Sequence, residues 1–166
     1  MVRSFASAHM SLTIAQDAEA PDRRQRWLSL LAKASSTRLE ALWNGIGPVP
    51  SYSMLRRPEI GLVMVQGRIS GSGGPFCAGE MTVTRAAVRL ASGQIGIGYV
   101  GGRKPRQAEI VAAIDALGHL PEWQETIETK IVAPLATEAD GRHRLVAAKA
   151  AATKVDFFTV AREAGT

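Results

Sequence analysis

Cysteine is nearly absent from this 166-residue chain, whose single example is Cys77. One cysteine excludes an internal disulfide and any zinc or iron–sulfur site built from several cysteines of this chain. Long apolar runs are missing as well, because Gly, Arg or Glu interrupts each run before the roughly 18 residues that a membrane helix requires. The first twenty residues contain no apolar stretch of the length found in a secretory signal. These absences predict a soluble, cytoplasmic protein.

What the chain does contain is enough apolar sequence for a core. Hydrophobic residues make up 46% and charged residues 21%, which excludes global disorder. The length corresponds to one domain, which we assign to residues 21–166, with residues 1–20 as a disordered extension. The 20 Lys and Arg residues outnumber the 15 Asp and Glu residues and give a net charge of +5. This excess favours anionic ligands or an acidic protein partner.

Two helices are predicted at the start of the domain. From Pro21 to Ala34, apolar residues recur at helical spacing with basic residues between them, as in an amphipathic helix. Ser36 and Thr37 open a second, shorter helix, in which Thr37 and Glu40 have the spacing of a capping box. Together the two helices form an N-terminal helical hairpin.

The middle of the chain has the composition of β-strands. Four segments are rich in Tyr, Ile, Val and Met: 51–57, 61–70, 80–90 and 94–103. Short links separate them, namely a turn at Pro58-Glu59, a Gly-rich loop at 71–79 and a hairpin turn at 91–93. Short links between sequential strands predict antiparallel pairing. The expected fold class is therefore α+β, with a largely antiparallel sheet of about four strands.

Further helices are expected after the sheet. Residues 105–118 carry an apolar stripe that ends at Gly118, so this helix should pack against the sheet. The segment 122–131 fits either a helix or a strand, and the Ala-rich segment 138–154 is helical. Residues 155–161 are typical of a short terminal strand or a docking segment.

Two glycine-rich stretches resemble nucleotide-binding loops but fail their structural requirements. Residues 71–79 (GSGGPFCAG) lack the Lys-Ser/Thr ending of a phosphate-binding loop and lead into a strand rather than a helix. Gly96, Gly98 and Gly101 have G-x-G-x-x-G spacing, but they lie within a predicted strand that is not part of a parallel βαβ unit. Glycines at this density in a strand indicate the close approach of another backbone.

The residue types that usually carry catalysis do not cluster in the sequence. The three histidines lie in the N-terminal extension or near helix ends: His9, His119 and His143. Cys77 therefore has no adjacent base to generate a thiolate, and the histidines lack the spacing of a metal site. Four carboxylates are isolated from one another along the chain: Glu80, Glu109, Asp115 and Asp156. We assign no catalytic residue, no metal ligand and no cofactor to this chain.

Arginines on the predicted strands give the clearest sign of a binding surface. Arg85 and Arg89 are four residues apart in one strand, so their side chains share a face, and Arg103 lies at the end of the next strand. Guanidinium groups on one face repel each other unless an anion or a carboxylate compensates them. The surface therefore either faces a partner or a polyphosphate, or it is neutralised by the chain itself. For the second case the candidate carboxylates are Glu80, Glu109 and Asp115.

Phe157 and Phe158 are the candidate partner anchors. Adjacent residues of a strand point to opposite faces, so one of the two rings leaves the core unless another element or another chain covers it. We predict that this pair contacts a partner protein.

Several blocks of the sequence are distinctive. F-C-A-G-E-M-T-V-T-R-A-A-V-R-L occupies 76–90, A-E-I-V-A-A-I-D-A-L occupies 108–117, and V-D-F-F-T occupies 155–159. Q-R-W at 25–27 and A-P-L at 133–135 accompany them. In this order the blocks resemble the G subunit of the bacterial carbon–phosphorus lyase core complex, the PhnG family, over nearly the whole chain after the first twenty or so residues.

The resemblance implies an accessory subunit in organic phosphonate catabolism. Members of this family assemble with H, I and J subunits, and together with the H, I and L proteins they support the formation of ribose 1-methylphosphonate 5-triphosphate. In that reaction an alkylphosphonate displaces adenine from ATP, so ATP is a substrate of the complex. The resemblance supplies no catalytic residue for any position of this chain.

The alternative is a basic nucleic-acid-binding or polyphosphate-binding module without an enzymatic role. The positive net charge favours it, but nucleic-acid-binding sheets usually interleave aromatic residues with the basic ones. Between residues 68 and 103 only Phe76 and Tyr99 are aromatic. We therefore expect protein partners rather than nucleic acid or a membrane.

Overall fold

The computed structural model describes residues 22–68 and 73–153, which form an α+β fold. Its elements are α1 (Arg23–Lys33), α2 (Ser36–Asn44), β1 (Tyr52–Arg68), β2 (Pro75–Leu90), β3 (Ile95–Gly101), α3 (Pro105–Gly118), α4 (Pro121–Ile127) and α5 (Ala133–Ala152), with a π-helical turn over Glu128–Val132 between α4 and α5. The predicted fold class is confirmed. The predictions for residues 1–20 and 155–161, including those for Phe157 and Phe158, lie outside the described residues.

The two N-terminal helices form where the sequence predicts them and pack on α3. Trp27 and Leu31 of α1 and Leu39 and Trp43 of α2 are buried, which gives each short helix one apolar face against the core. The predicted capping box is wrong, because Ser35 is the N-cap residue and its side chain makes no capping hydrogen bond. The nearby polar side chains have other partners. The Ser36 hydroxyl donates to Gln107 Oε1 over 2.7 Å, and Glu40 forms an ion pair with Arg106.

The sheet has three antiparallel strands in the order β1-β2-β3. The first two predicted strands are one strand, because the expected turn at Pro58-Glu59 is a bulge where the register of β1 against β2 shifts. Pro58 lies on an edge strand, where a missing N–H need not cost a ladder hydrogen bond, so the chain continues without turning. Strand β2 already begins at Pro75, inside the segment predicted as a Gly-rich loop.

The hairpin turn between β2 and β3 is confirmed. Gly93 has φ +97°, a conformation that favours glycine, and its N–H donates to the Leu90 carbonyl over 2.9 Å. This tight turn sets β3 directly beside the second half of β2, with Ile97 opposite Ala87.

Helix α3 lies at the centre of the molecule between the sheet and the other helices. Every residue from Gln107 to Leu117 is buried apart from the half-buried Glu109, although the sequence predicts only one apolar stripe. Strands β2 and β3 lie on one side of α3, while α1, α2 and α4 contact its other sides.

The segment after α3 is helical throughout. The stretch 122–131, which fits helix or strand by sequence, forms α4 and the π-helical turn, and the Ala-rich segment continues as α5. Within residues 22–68 and 73–153, no helix has both the length and the apolar content needed to cross a membrane.

Candidate interaction surface

One face of the sheet is covered by α3, and in the part of the chain that the structure describes the other, the outer face, is open. Along β3, Gly96, Gly98 and Val100 point to α3 and are buried, while Ile95, Ile97 and Tyr99 alternate with them and are exposed. The three exposed side chains are 43%, 52% and 47% accessible, respectively. They form an apolar row along one edge of the outer face.

Arg85 and Arg89 share the outer face, as the spacing predicts. They stand opposite Tyr99 and Ile95 of β3, so a row of guanidinium groups runs beside the apolar row. Ala87 separates the two arginines and is half-buried. The outer face is defined below by these six residues together with Arg56 and Glu59 of β1.

Arg85 is compensated by a carboxylate of the chain itself, but not by one of the three expected from sequence. Its partner is Glu59, which accepts from Arg85 Nε and, over 2.7 Å, from Arg56 Nη1. The hydrogen bond from Arg85 is the main reason why the pKa of Glu59 lies below its ordinary value. Two of the three candidate carboxylates pair elsewhere, Asp115 with Arg24 and Glu109 with Arg106, and Glu80 forms no ion pair within residues 22–68 and 73–153.

Arg89 forms no ion pair with any of the residues that the structure describes. Its neighbours across the sheet are Ser53 of β1 and Ile95 of β3. The outer face therefore carries three guanidinium groups and one carboxylate, which leaves two positive charges in excess.

Arg103 lies apart from this pair. It follows the end of β3 in an exposed bend before α3, rather than on a strand as the sequence predicts. Thr84 holds this bend, because its hydroxyl donates to the Gly102 carbonyl over 2.6 Å and accepts from the Lys104 N–H over 2.9 Å. The structure thus brings Arg85 and Arg89 together and leaves Arg103 on the connection.

The first two strands extend beyond β3 as an arm, formed by residues 62–68 of β1 and 75–82 of β2. Directly opposed residues of an antiparallel pair point to the same side, so Leu62 and Met64 share one face of the arm and Val63 and Met81 the other. Large apolar side chains of the arm are exposed: Leu62, Met64, Val65, Phe76 and Met81. The arm is an apolar surface that could not be predicted from the sequence. A strand with exposed apolar residues has the same sequence pattern as a strand with buried ones.

Asp115 of α3 covers part of the edge of β3 that faces away from β2. The Ile97 N–H donates to Asp115 Oδ2 over 2.8 Å, and Arg24 of α1 donates to both carboxylate oxygens over 2.7 and 2.8 Å. Asp115 is almost fully buried, and its hydrogen bonds raise the pKa of Arg24. An edge strand that is covered in this way is protected from pairing with a further strand.

A cavity of about 310 Å³ lies beside this ion pair, between α1 and the end of α3. Arg24, Trp27, Asp115, His119 and Gln124 contribute to its wall. Their polar atoms largely bind each other or nearby groups: Gln124 donates to the Gly118 carbonyl, and the indole of Trp27 donates to a carboxylate of the π-helical turn. The wall thus offers a structural polar network rather than a nucleophile with its base.

The residue types considered for catalysis stay separated. Cys77 is exposed on the arm, with the Gly79 carbonyl 3.9 Å from its sulfur, while His119 and His143 lie at the end of α3 and within α5. In the two described ranges, no three His, Cys, Asp or Glu side chains lie close enough together to hold a metal ion.

The fold and surface define a small α+β protein whose sheet packs on a central helix and leaves one mixed apolar and cationic face open. Residues 22–163 match the family model described as "Phosphonate metabolism protein PhnG". A protein of Rhizobium meliloti (strain 1021), named alpha-D-ribose 1-methylphosphonate 5-triphosphate synthase subunit PhnG, is 39% identical over 140 residues. The matched region covers 84% of this chain and 89% of that relative. The chain belongs to the PhnG family, and the resemblance seen in the sequence is confirmed.

Proposed function

We propose that this chain is an accessory subunit of a ribose 1-methylphosphonate 5-triphosphate synthase. The observation that carries the proposal is the 39% identity to a named synthase subunit over most of both chains. Identity at this level over a whole domain supports a shared place in the same enzyme. The reaction would take ATP and an alkylphosphonate and release adenine.

The partners proposed for the chain are the H, I and J subunits of the carbon–phosphorus lyase core complex and the L protein. The open outer face and the apolar arm support this proposal, because exposed apolar patches on a small protein mark interaction sites. The reacting groups would then come from a partner, and this chain would contribute surface and stability to the assembly.

Co-expression tests the proposal directly. The chain is produced with an affinity tag together with H, I and L proteins from the same source, and adenine release from ATP and methylphosphonate is measured with and without it. We expect adenine release only when the chain is present. Equal rates in both preparations, or no co-purification of any partner, would contradict the proposed function.

A further inference from the structure

We propose that the outer face is the surface through which this chain binds a different protein chain, one that presents carboxylates around an apolar patch. The proposal deepens the proposed function and rests on it for the choice of partners in its test. It assigns the contact to one side of the sheet and states the chemistry of the surface that covers it.

The apolar row supplies the centre of such a contact. Ile95, Ile97 and Tyr99 stand side by side on the outer face, each about half exposed, on a strand whose other face is fixed against α3. A rigid strand presents these side chains without the entropy cost of ordering a loop. Large side chains held in this way, tyrosine above all, are typical centres of protein interfaces.

The excess positive charge selects the kind of partner. Arg89 has no carboxylate partner in the described part of the chain, and the other two arginines share the single negative charge of Glu59. A covering surface must therefore bring carboxylates, at least one of them to Arg89, or leave guanidinium groups desolvated and unpaired. A carboxylate at Arg89 can form two parallel hydrogen bonds and so fix the orientation of the partner.

A second copy of this chain does not meet that requirement. A symmetric dimer places the same patch on both sides of the interface, so two excess positive charges would meet two more. Contact with some other surface of a second copy would be head-to-tail, and such contacts form rings or open filaments rather than dimers. The charge of the face thus favours a different chain.

At the β3 edge the contact is made by side chains rather than by strand addition. The Ile97 N–H on the open edge of β3 is already bound by Asp115, and α1 lies alongside β3. An incoming strand would have to displace this buried carboxylate and its arginine. On the β3 side, where the apolar row lies, the partner therefore packs across the strands instead of adding a strand to this edge.

Two outer-face variants and two controls test this inference. Arg89→Glu reverses the unpaired charge and Tyr99→Ser removes an apolar anchor, while Arg142→Glu and Leu145→Ser make the same kinds of change on the exposed surface of α5. Thermal unfolding of the isolated chains verifies that all four fold as the wild type does. Binding of each chain to its purified H and I partners is then measured at 50 and 200 mM salt.

We expect each outer-face variant to raise the dissociation constant at least tenfold, while both α5 variants bind as the wild type does. We also expect the dissociation constant of Arg89→Glu to depend less on salt than that of the wild type. If the wild type binds no partner, the proposed function fails. If the wild type binds and the outer-face variants bind equally well, the inference alone is overturned. It is also overturned if the isolated chain forms a dimer that Tyr99→Ser dissociates, or if the effect of Arg89→Glu disappears after nuclease treatment.

Discussion

Gly96 and Gly98 set how closely α3 approaches the sheet. A Cβ at either position would clash with helix backbone, at Ala112 and Ala116 for Gly96 and at Ala108 for Gly98. The close approach in turn requires small helix residues at 108, 112 and 116. Paired small residues on a strand and a helix thus bring two backbones together and leave no space for a dinucleotide.

Replacing Gly98 with alanine should therefore destabilise the fold. The added Cβ collides with the backbone of Ala108, which cannot rotate away, so we expect Gly98→Ala to lower the free energy of unfolding by about 3 kcal/mol. Gly101→Ala on the same strand is the control, since a Cβ there meets nothing within 4 Å, and its effect should stay within about 0.5 kcal/mol. Urea unfolding of both variants measures the difference, and equal stabilities would contradict the close packing.

The sequence predicts the close approach at these glycines but not what approaches. The density of glycine in a strand indicates another backbone, and the structure identifies it as α3. The partner of Arg85 could not be predicted in the same way. Glu59 is 26 residues from Arg85, and their contact depends on the strand register after the bulge at Pro58.

Tyr52 provides a measurable sign of the packing between β1 and α3. Burial, followed by its hydrogen bond to Glu109, raises the pKa of its phenol above the ordinary value of about 10. The folded state therefore holds this proton more tightly than the unfolded state, and the stability this gives is complete below about pH 10 and lost as pH rises through the raised pKa. Tyrosine absorbance is measured against pH in the wild type and in Tyr52→Phe, and the difference isolates this phenol. We expect the midpoint of its deprotonation to lie above pH 10. A midpoint at or below 10 would show that the phenol is solvated.

At the scale of elements, the sheet consists of a packed half and a projecting half. The packed half lies on α3, whereas the arm of residues 62–68 and 75–82 has only two strands and extends about 25 Å at 3.3 Å per residue. Two-stranded ribbons are marginally stable alone in water. Strand propensity predicts both halves equally well, but it does not tell them apart, because the difference depends on where α3 ends on the sheet.

Equal substitutions in the two halves should therefore have unequal effects on stability. Leu90 is 2% accessible, and Leu90→Ala should lower the free energy of unfolding by about 2–5 kcal/mol. Leu62 is 63% accessible, and Leu62→Ala should change it by less than about 0.5 kcal/mol. Thermal and urea unfolding of the two isolated variants and the wild type measure these changes in stability. A large loss in Leu62→Ala would place the arm within the cooperative core.

At the scale of the whole molecule, the chain combines a rigid centre with open surfaces. The Arg24–Asp115 pair and the buried α3 fix the outer face, while the exposed residues on that face and on the arm add little to the stability of the chain itself. Periodicity predicts the helices of the rigid centre, but neither the Arg24–Asp115 pair nor the burial of α3 beyond one stripe. The sequence predicts the outer face only at Arg85 and Arg89, because the exposure of Ile95, Ile97 and Tyr99 follows from the side on which α3 packs.

The kinetics of adenine release can distinguish a chain that only stabilises the assembly from one that takes part in the reaction. If this chain contributes only surface to the synthase, an outer-face variant such as Tyr99→Ser weakens assembly but leaves the assembled enzyme intact. Adenine release titrated with this variant should then need at least ten times more chain for half-maximal rate and reach the wild-type kcat at saturation. A reduced kcat at saturation, with the variant fully bound, would contradict a purely structural role, because the bound chain would then affect the step that limits turnover of the assembled enzyme.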